Sequence, residues 1–231
     1  SEAPVFRVRF DGPPPPPSER YWRGPVLHQF DGYTWTRGPR AGVPLESAPL
    51  GEPLRHSVML EPSQRNWLFA LDTVVGLSRR GSMITWDGQV TTSRAVTAPT
   101  AYEAVSHLRM RTEGPLALTT RRMDTQLPAG RNLRSIALAR QMRAAAADER
   151  AFVAATLALF RDGGFRYTLT PPLLDLDSVD DLLFNTRRGF CGHFASAFAM
   201  LMRAAGIPAR VVTGYQGGEW NRMGGYLLIR Q

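Results

Sequence analysis

The period of the hydrophobic positions changes near residue 125. Up to that point apolar and polar residues alternate in short segments such as residues 5–10 and 54–60, which is the pattern of half-buried strands. Asp-Gly pairs at residues 31–32 and 87–88 separate neighbouring segments, and each pair predicts a two-residue hairpin turn. We therefore predict an all-β, sandwich-like domain of about seven strands over residues 1–125.

From residue 126 onward, alanine, leucine and arginine dominate, and apolar residues recur every three to four positions. This period predicts helices, for which Asn132, Asp148 or Asp124, and Ser178 are suitable N-terminal caps. The predicted helices are residues 132–146, 151–161 and 178–184, with a fourth between Gly189 and Gly206. The predicted strands are residues 165–169, 209–215 and 226–229. Helices followed by strands make residues 126–231 an α+β domain.

The fourth helix carries the only cysteine of the chain, Cys191. Its apolar residues recur at helical spacing: Phe194, Phe198, Leu201, Met202 and Ala205. Cys191 lies at the N-terminal end of that stripe, where the free N–H groups and the helix dipole favour a thiolate. A single free cysteine is more often a small buried apolar residue. Its position after Arg187, Arg188 and a glycine nevertheless makes Cys191 a candidate nucleophile.

Composition narrows the possible functions. The chain has 231 residues and a formal net charge of +8, and since it contains no lysine, all 28 basic residues are arginine. These arginines are scattered in ones and twos, which predicts a solvated surface with a weak attraction to anionic cell-envelope polymers or lipid headgroups. The sequence contains no basic helix or aromatic–basic platform, so we expect no nucleic-acid partner.

The cysteine count and the motif content argue against a cofactor. One cysteine excludes an intramolecular disulfide and a CxxC metal site. No phosphate-binding glycine motif and no His/Cys cluster occurs along the chain, so we expect neither a metal nor a nucleotide cofactor. His28, His56 and His107 fall on separate predicted strands and are interpreted as structural or surface residues.

Two long stretches resemble a known family. Residues 186–198 (TRRGFCGHFASAF) and 201–221 (LMRAAGIPARVVTGYQGGEWN) resemble the transglutaminase-like superfamily, more narrowly the periplasmic domain of the bacterial TgpA-type membrane proteins. Residues 22–26, 31–35, 67–72 and 167–172 extend the resemblance over nearly the whole chain. It implies a papain-like core after the β domain, in the periplasm, and transmembrane helices outside this chain that anchor it in the inner membrane.

The resemblance also implies an activity. Cys191 would attack the side-chain amide of a glutamine, release ammonia and hold a thioester that an amine or water then resolves. The implied enzyme is a protein-glutamine gamma-glutamyltransferase, or transglutaminase, whose partners are a glutamine-bearing protein or peptide and an amine acceptor. We expect His193, Tyr215 and Trp220 to support the site or to bind substrate. A cysteine peptidase and a non-catalytic periplasmic domain that binds cell wall or protein are the alternatives.

The expected catalytic site lacks a base. His193 follows Cys191 by two residues, and two such positions on a helix lie about 200° apart and do not face each other. In the resembled family the catalytic His and Asp belong to segments beyond the equivalent of Gln231. We therefore expect a core truncated at its C-terminus, with little turnover by itself and an open sheet edge at residues 226–229. Gly192 departs from relatives that carry an acidic residue directly after the cysteine.

Overall fold

The computed structural model describes residues 3–231, which form two compact units. The first, which we call the β unit, consists of residues 3–26, 39–117 and 212–231. The second, which we call the helical unit, consists of residues 27–38 and 118–211. Each unit is assembled from separate stretches of the chain, and the division into continuous domains at residues 1–125 and 126–231 stays a prediction.

The element order confirms the predicted α+β class. The strands are β1 (Pro4–Phe10), β2 (Tyr21–Phe30), β3 (Trp35–Arg37), β4 (Ser47–Leu50), β5 (Leu54–Leu60), β6 (Trp67–Leu68), β7 (Ala70–Leu71), β8 (Val74–Leu77), β9 (Ser82–Ile84), β10 (Val90–Thr92), β11 (Thr100–Ser106), β12 (Arg109–Thr112), β13 (Arg166–Tyr167), β14 (Arg188–Gly189), β15 (Val211–Gln216), β16 (Glu219–Asn221) and β17 (Tyr226–Arg230). The α-helices are α1 (Leu118–Asp124), α2 (Leu133–Ala145), α3 (Glu149–Asp162), α4 (Ser178–Asp181) and α5 (Cys191–Ala204). A 3-10 turn covers Pro17–Glu19 and a π-helical segment covers Leu182–Thr186. Within residues 3–231 no helix is both long enough and apolar enough to cross a membrane.

The β unit is built on an antiparallel six-stranded sheet in the order β16–β17–β1–β5–β11–β8. Phe6 of β1 lies opposite Leu60 of β5 and Ile229 of β17. Because β17 is paired on both sides, with β1 and with β16, the open edge expected at residues 226–229 is wrong. The edge strand is β16. β17 pairs with β1, which is far away in the sequence, and a local sequence pattern cannot predict such a pairing.

The core of the β unit lies on one face of this sheet. Phe6, Val8, Val58 and Leu60 are buried at alternate positions of β1 and β5, as the period of two predicts. The ring of Phe6 stacks on Phe69 at 5.3 Å between centroids. Burying a large apolar side chain of this kind is worth about 1.5–3 kcal/mol. Smaller sheets complete the unit: β6–β10–β9 and β4–β12.

Both predicted two-residue turns are wrong. Four residues separate β2 from β3, because the side chain of Asp31 accepts hydrogen bonds from the N–H groups of Tyr33 at 2.8 Å and Thr34 at 2.7 Å. These bonds also lower the pKa of Asp31. The loop from β9 to β10 is wider as well, and the Thr85 N–H donates to the carbonyl oxygen of Gln89 at 2.8 Å. In the first case the N–H of Asp31 also donates to the carbonyl oxygen of Thr34 at 3.3 Å, so the chain turns at Gly32 and Tyr33 and not at Asp31 and Gly32.

The core of the helical unit contains residues from each of its larger elements. It includes Phe152 of α3, Met200 and Leu201 of α5, Leu182 of the π-helical segment and Phe30 of β2. Helix α5 contributes Ala197, Met200, Leu201 and Met202, more buried core residues than any other element, so the core of this unit holds the cysteine-bearing helix.

Two helices of this unit cap each other. Asn132 precedes α2, but its side-chain oxygen accepts hydrogen bonds from the N–H groups of Val179 at 2.9 Å and Asp180 at 3.1 Å in α4. Asp180 in return accepts from the N–H groups of Arg134 at 3.1 Å and Ser135 at 2.7 Å. Asn132 therefore caps α4 and not α2 as predicted, because its backbone is left-handed (φ 50°) rather than extended like that of an N-cap residue.

The remaining predicted caps have different outcomes. Asp124 is wrong as an N-terminal cap, because it is the last residue of α1. Asp148 caps α3 as predicted, since its carboxylate accepts a hydrogen bond from the N–H of Ala151 at 2.8 Å. Ser178 is wrong as a cap, because it is the first residue of α4 and its hydroxyl donates to the carbonyl oxygen of Gly32 at 3.1 Å.

Candidate active site

The chain changes direction immediately before α5. The π-helical segment ends at Thr186, and Arg187 then takes a left-handed conformation (φ 50°), which is costly for a residue with a side chain. Two hydrogen bonds hold it: its N–H donates to the carbonyl oxygen of Leu182 at 3.0 Å, and its guanidinium to that of Gly163 at 3.2 Å. This strained turn brings Cys191 to the first position of α5.

Cys191 is exposed at the N-terminus of α5, where the sequence predicts it. Across residues 3–231 its sulfur takes part in no hydrogen bond. The N–H groups of the first helical turn have no acceptor inside the helix, and that of Cys191 is one of them. It is therefore available to stabilise an oxyanion that forms next to the sulfur.

His193 turns toward the residue before Cys191. Its Nδ1 accepts a hydrogen bond from the backbone N–H of Phe190 at 3.3 Å, and its ring packs on that of Phe190 with 4.1 Å between centroids. Burial lowers the pKa of His193, which favours the neutral imidazole that this bond requires. His193 thus fixes the start of the helix through the residue that precedes Cys191.

Gly189 allows the close approach of His193. A Cβ at residue 189 would lie 2.8 Å from His193 Cβ and 2.8 Å from its Nδ1. From the sequence alone, Gly189 is interpreted as giving the backbone conformational freedom before the helix. In the structure its role is to leave space for the imidazole of His193. Without that space, the hydrogen bond from Phe190 to His193 could not form.

A second segment lies along the residues that precede Cys191. Strands β13 and β14 pair in parallel, with Arg166 opposite Arg188 and Tyr167 opposite Gly189. The N–H of Thr168 donates to the carbonyl oxygen of Gly189 at 2.8 Å. The sequence predicts a strand at residues 165–169 and draws attention to Arg188, but it does not predict that these two segments pair.

A buried His–Asp pair occurs elsewhere in the helical unit. His28 Nδ1 lies 2.6 Å from Asp124 Oδ1, and Arg203 Nη2 is 3.7 Å from the same oxygen. Arg203 is near the far end of α5, roughly 18 Å from Cys191 at the helical rise of 1.5 Å per residue. This pair is therefore a structural anchor of α5, and its geometry does not supply a base to Cys191.

Tyr215 and Trp220 belong to the β unit. The ring of Tyr215 contacts Phe69 at 5.2 Å and Phe6 at 5.8 Å, both edge-on, and burial raises the pKa of its phenol. Trp220 lies on the edge strand β16 and is about half exposed. The expectation that these two residues contact substrate stays a prediction.

The described stretch, residues 3–231, contains no group of three or more His, Cys, Asp or Glu side chains placed to hold a metal ion.

The fold and this cysteine agree with one class of protein, the transglutaminase-like superfamily, whose family model matches residues 136–229. A second family model, the TgpA N-terminal domain, matches residues 1–113. The chain belongs to the TgpA family of transglutaminase-like proteins. The chain is periplasmic, because it matches crystal structures of a periplasmic domain over its full length.

Solved and curated relatives agree. The crystal structure of the periplasmic domain of TgpA from Pseudomonas aeruginosa matches with a TM-score of 0.95 and 41% identity, over 100% of this chain and 80% of that one. The same domain bound to ethylmercury matches with a TM-score of 0.94 and 42% identity, over 100% of this chain and 82% of that one. A Pseudomonas aeruginosa protein-glutamine gamma-glutamyltransferase is 42% identical over 98% of this chain. The chain spans only 34% of that relative's length.

A shorter match involves a protein of Bacillus subtilis. The uncharacterized protein YebA is 50% identical over 56 residues, which are 24% of this chain and 8% of that relative.

Proposed function

We propose that this chain carries the nucleophile of a protein-glutamine gamma-glutamyltransferase, and that the nucleophile is Cys191. The observation that carries the proposal is the exposed thiol at the first position of α5, within the range that matches the transglutaminase-like superfamily. The name of the relative that is 42% identical supports the same activity.

The proposed reaction has two halves. The Cys191 thiolate attacks the carboxamide carbon of a glutamine side chain, the C–N bond breaks, and ammonia leaves with a proton from a general acid. The resulting thioester is attacked by an amine to form an isopeptide bond, or by water to form glutamate, and the thiolate is regenerated. The backbone N–H of Cys191 would stabilise the oxyanion of both tetrahedral intermediates.

We infer that the general acid–base lies outside residues 3–231. In the helical unit His193 uses Nδ1 to accept the Phe190 N–H, and His28 is bound to Asp124 beside Arg203, which lies roughly 18 Å from Cys191 along α5. The homologous crystallised domain is longer than this chain, which covers 82% of it. The remaining part of that domain is the proposed source of the histidine and of the carboxylate that orients it.

The partners follow from the chemistry. The acyl donor would be a glutamine-bearing protein or peptide, and the acceptor an amine or water. Tyr215 and Trp220 stay candidates for substrate contacts, and membrane anchoring would come from parts of the protein outside this chain. Anionic cell-envelope polymers are further candidates for weak binding, because the formal net charge is +8.

The test uses the full-length protein with a glutamine peptide and a labelled primary amine. We expect ammonia release and amine incorporation in the natural protein and neither in Cys191→Ala. A new peptide N-terminus without ammonia would indicate a peptidase instead. The matched control is His193→Asn, which keeps an acceptor for the Phe190 N–H and should retain most of the activity. A general base is worth about 10²–10⁴-fold in rate, so a loss of that size in His193→Asn would assign the base to His193.

A further inference from the structure

Two arginines lie side by side on paired strands just before the candidate nucleophile in the sequence. Arg166 and Arg188 are register partners in the parallel β13–β14 pair, and backbone hydrogen bonds of 2.8 Å on either side of them fix this register. Register partners on neighbouring parallel strands lie about 4.8 Å apart and point to the same face. Like charges in that arrangement destabilise a strand pair.

No acidic group relieves this repulsion within the described chain. Over residues 3–231 neither the Arg166 nor the Arg188 guanidinium makes an ion pair or a hydrogen bond, and both side chains are exposed. Neighbouring arginines behave differently: Arg161 pairs with Asp162 at 2.9 Å, and Arg187 donates to Gly163 at 3.2 Å. The two opposed arginines therefore form a paired positive site whose donors are free.

The pair lies within reach of a substrate bound at Cys191. Residues 188–190 are extended, with Phe190 at φ −106° and ψ −178°. Three extended residues span about 10 Å, so an extended peptide would reach the arginines two to four positions from its reactive glutamine. Tyr167 and Leu169, on the same segment as Arg166, are 63% and 79% exposed and offer apolar contact surface beside the pair.

We propose that Arg166 and Arg188 bind an acidic side chain of the glutamine-bearing substrate and so select acyl donors with a carboxylate two to four residues from the glutamine. This inference rests on the proposed function. Guanidinium groups bind carboxylates through paired, charge-assisted hydrogen bonds, and two of them on one face match a single carboxylate. A polyanionic polymer would need a longer basic stripe, whereas the other arginines of the chain are scattered.

The experiment measures peptide binding in the full-length protein carrying Cys191→Ala, so that it does not depend on turnover. The probes are fluorescent glutamine peptides with Glu three residues from the glutamine on either side, and matched peptides with Gln in place of that Glu. We expect the better acidic peptide to bind about tenfold more tightly than its neutral match. Arg166→Gln and Arg188→Gln should each cost about three- to fivefold, and the double variant should remove the preference.

Arg161→Gln is the matched control, because Arg161 is exposed nearby but already paired with Asp162. With Cys191 intact, the double variant should raise KM for the acidic peptide about tenfold and leave kcat within about twofold. Equal binding of acidic and neutral peptides, or an equal loss in Arg161→Gln, would overturn the proposal. A third result would also overturn it: long-chain polyphosphate displaces the peptides from the protein but not from the double variant, and acidic and neutral peptides bind equally.

The two proposals fail separately. If binding depends on the acidic residue but the protein with intact Cys191 releases no ammonia, the acyl-transfer reaction is refuted and the recognition pair stands. If ammonia is released at the same rate from acidic and neutral peptides at low concentration, the recognition pair is refuted and the reaction stands.

Discussion

Replacing Arg203 should loosen the cysteine-bearing helix at the end opposite to Cys191. Arg203 is 2% exposed and donates three hydrogen bonds to carbonyl oxygens, to Ala209 at 2.7 Å, Gln126 at 3.1 Å and His28 at 2.6 Å. Its guanidinium also lies 4.7 Å from the ring of Trp35. One side chain thus joins α5 to β2, to the residues after α1 and to the segment after α5.

The expected cost follows from burial and charge. Burial lowers the pKa of Arg203 to about 10, so holding its charge there already offsets part of what its hydrogen bonds contribute. Arg203→Met would leave those carbonyl oxygens without a donor and the Asp124 carboxylate, 3.7 Å away, without its cation. Removing one partner of a buried charged group costs about 3–5 kcal/mol. At about 2–4 °C per kcal/mol for a chain of this size, the melting temperature should fall by about 10 °C.

The assay is urea unfolding followed by circular dichroism at a helical wavelength and by tryptophan fluorescence, since Trp35 is the only tryptophan in the helical unit. Arg203→Lys keeps the charge but not the planar fork, and should lose about half as much stability. Arg140→Gln, on the exposed side of α2, is the matched control and should change stability by less than about 0.5 kcal/mol. A loss below about 1 kcal/mol in Arg203→Met would refute the reasoning.

Three further predictions concern pH, helix entry and the thiol. Burial lowers the pKa of His56 to about 4, below its ordinary value of 6.5, so the unfolded chain takes up a proton first as pH falls. The stability that His56 contributes is complete above pH 6.5 and is lost toward pH 4, which should amount to about 2 kcal/mol between pH 7 and pH 5. Urea midpoints at the two pH values measure it, and an equal slope in His56→Gln would contradict it. Gly189→Ala should displace His193 and cost about 1–3 kcal/mol of unfolding free energy. Gly12→Ala, where a Cβ meets nothing within 4 Å, is its silent control, and equal melting temperatures for the two variants would argue against the close approach. Iodoacetamide should alkylate Cys191 several-fold faster in the folded chain than in urea, because the thiol is exposed at a helix N-terminus. Mass spectrometry measures the rate, and slower alkylation of the folded chain than of the unfolded chain would contradict the prediction.

The parts that the sequence predicted correctly are those with local signals. Helix α5 begins at Cys191 and ends at Ala204 because its apolar residues recur at helical spacing and Gly206 follows with φ 81°, as a helix-ending glycine does. Asp148 caps α3 for an equally local reason, since its side chain reaches the N–H of a residue three positions later. Such features need no knowledge of the rest of the fold.

The parts that the sequence could not predict depend on distant partners. β17 is an inner strand because it pairs with β1, and Asn132 caps α4 because that helix lies beside it. The opposition of Arg166 and Arg188 has the same origin, because two strands of two residues each carry no recognisable period. A candidate recognition site can therefore be invisible in the sequence even though the candidate nucleophile next to it has a local sequence signal.

On the proposed function, the anchors of α5 and the pair Arg166 and Arg188 have different roles. Arg203 fixes one end through three buried hydrogen bonds, and His193 fixes the other by accepting the N–H of Phe190. The β13 segment is tied to the residues before Cys191 by backbone hydrogen bonds, so the thiol and the arginine pair are held in one local framework. In such a framework a substrate gains affinity by matching charges already in place, without ordering a loop first. Exchanging Arg166 or Arg188 should therefore change which glutamine is chosen, whereas weakening the anchors of α5 should change how fast any glutamine reacts.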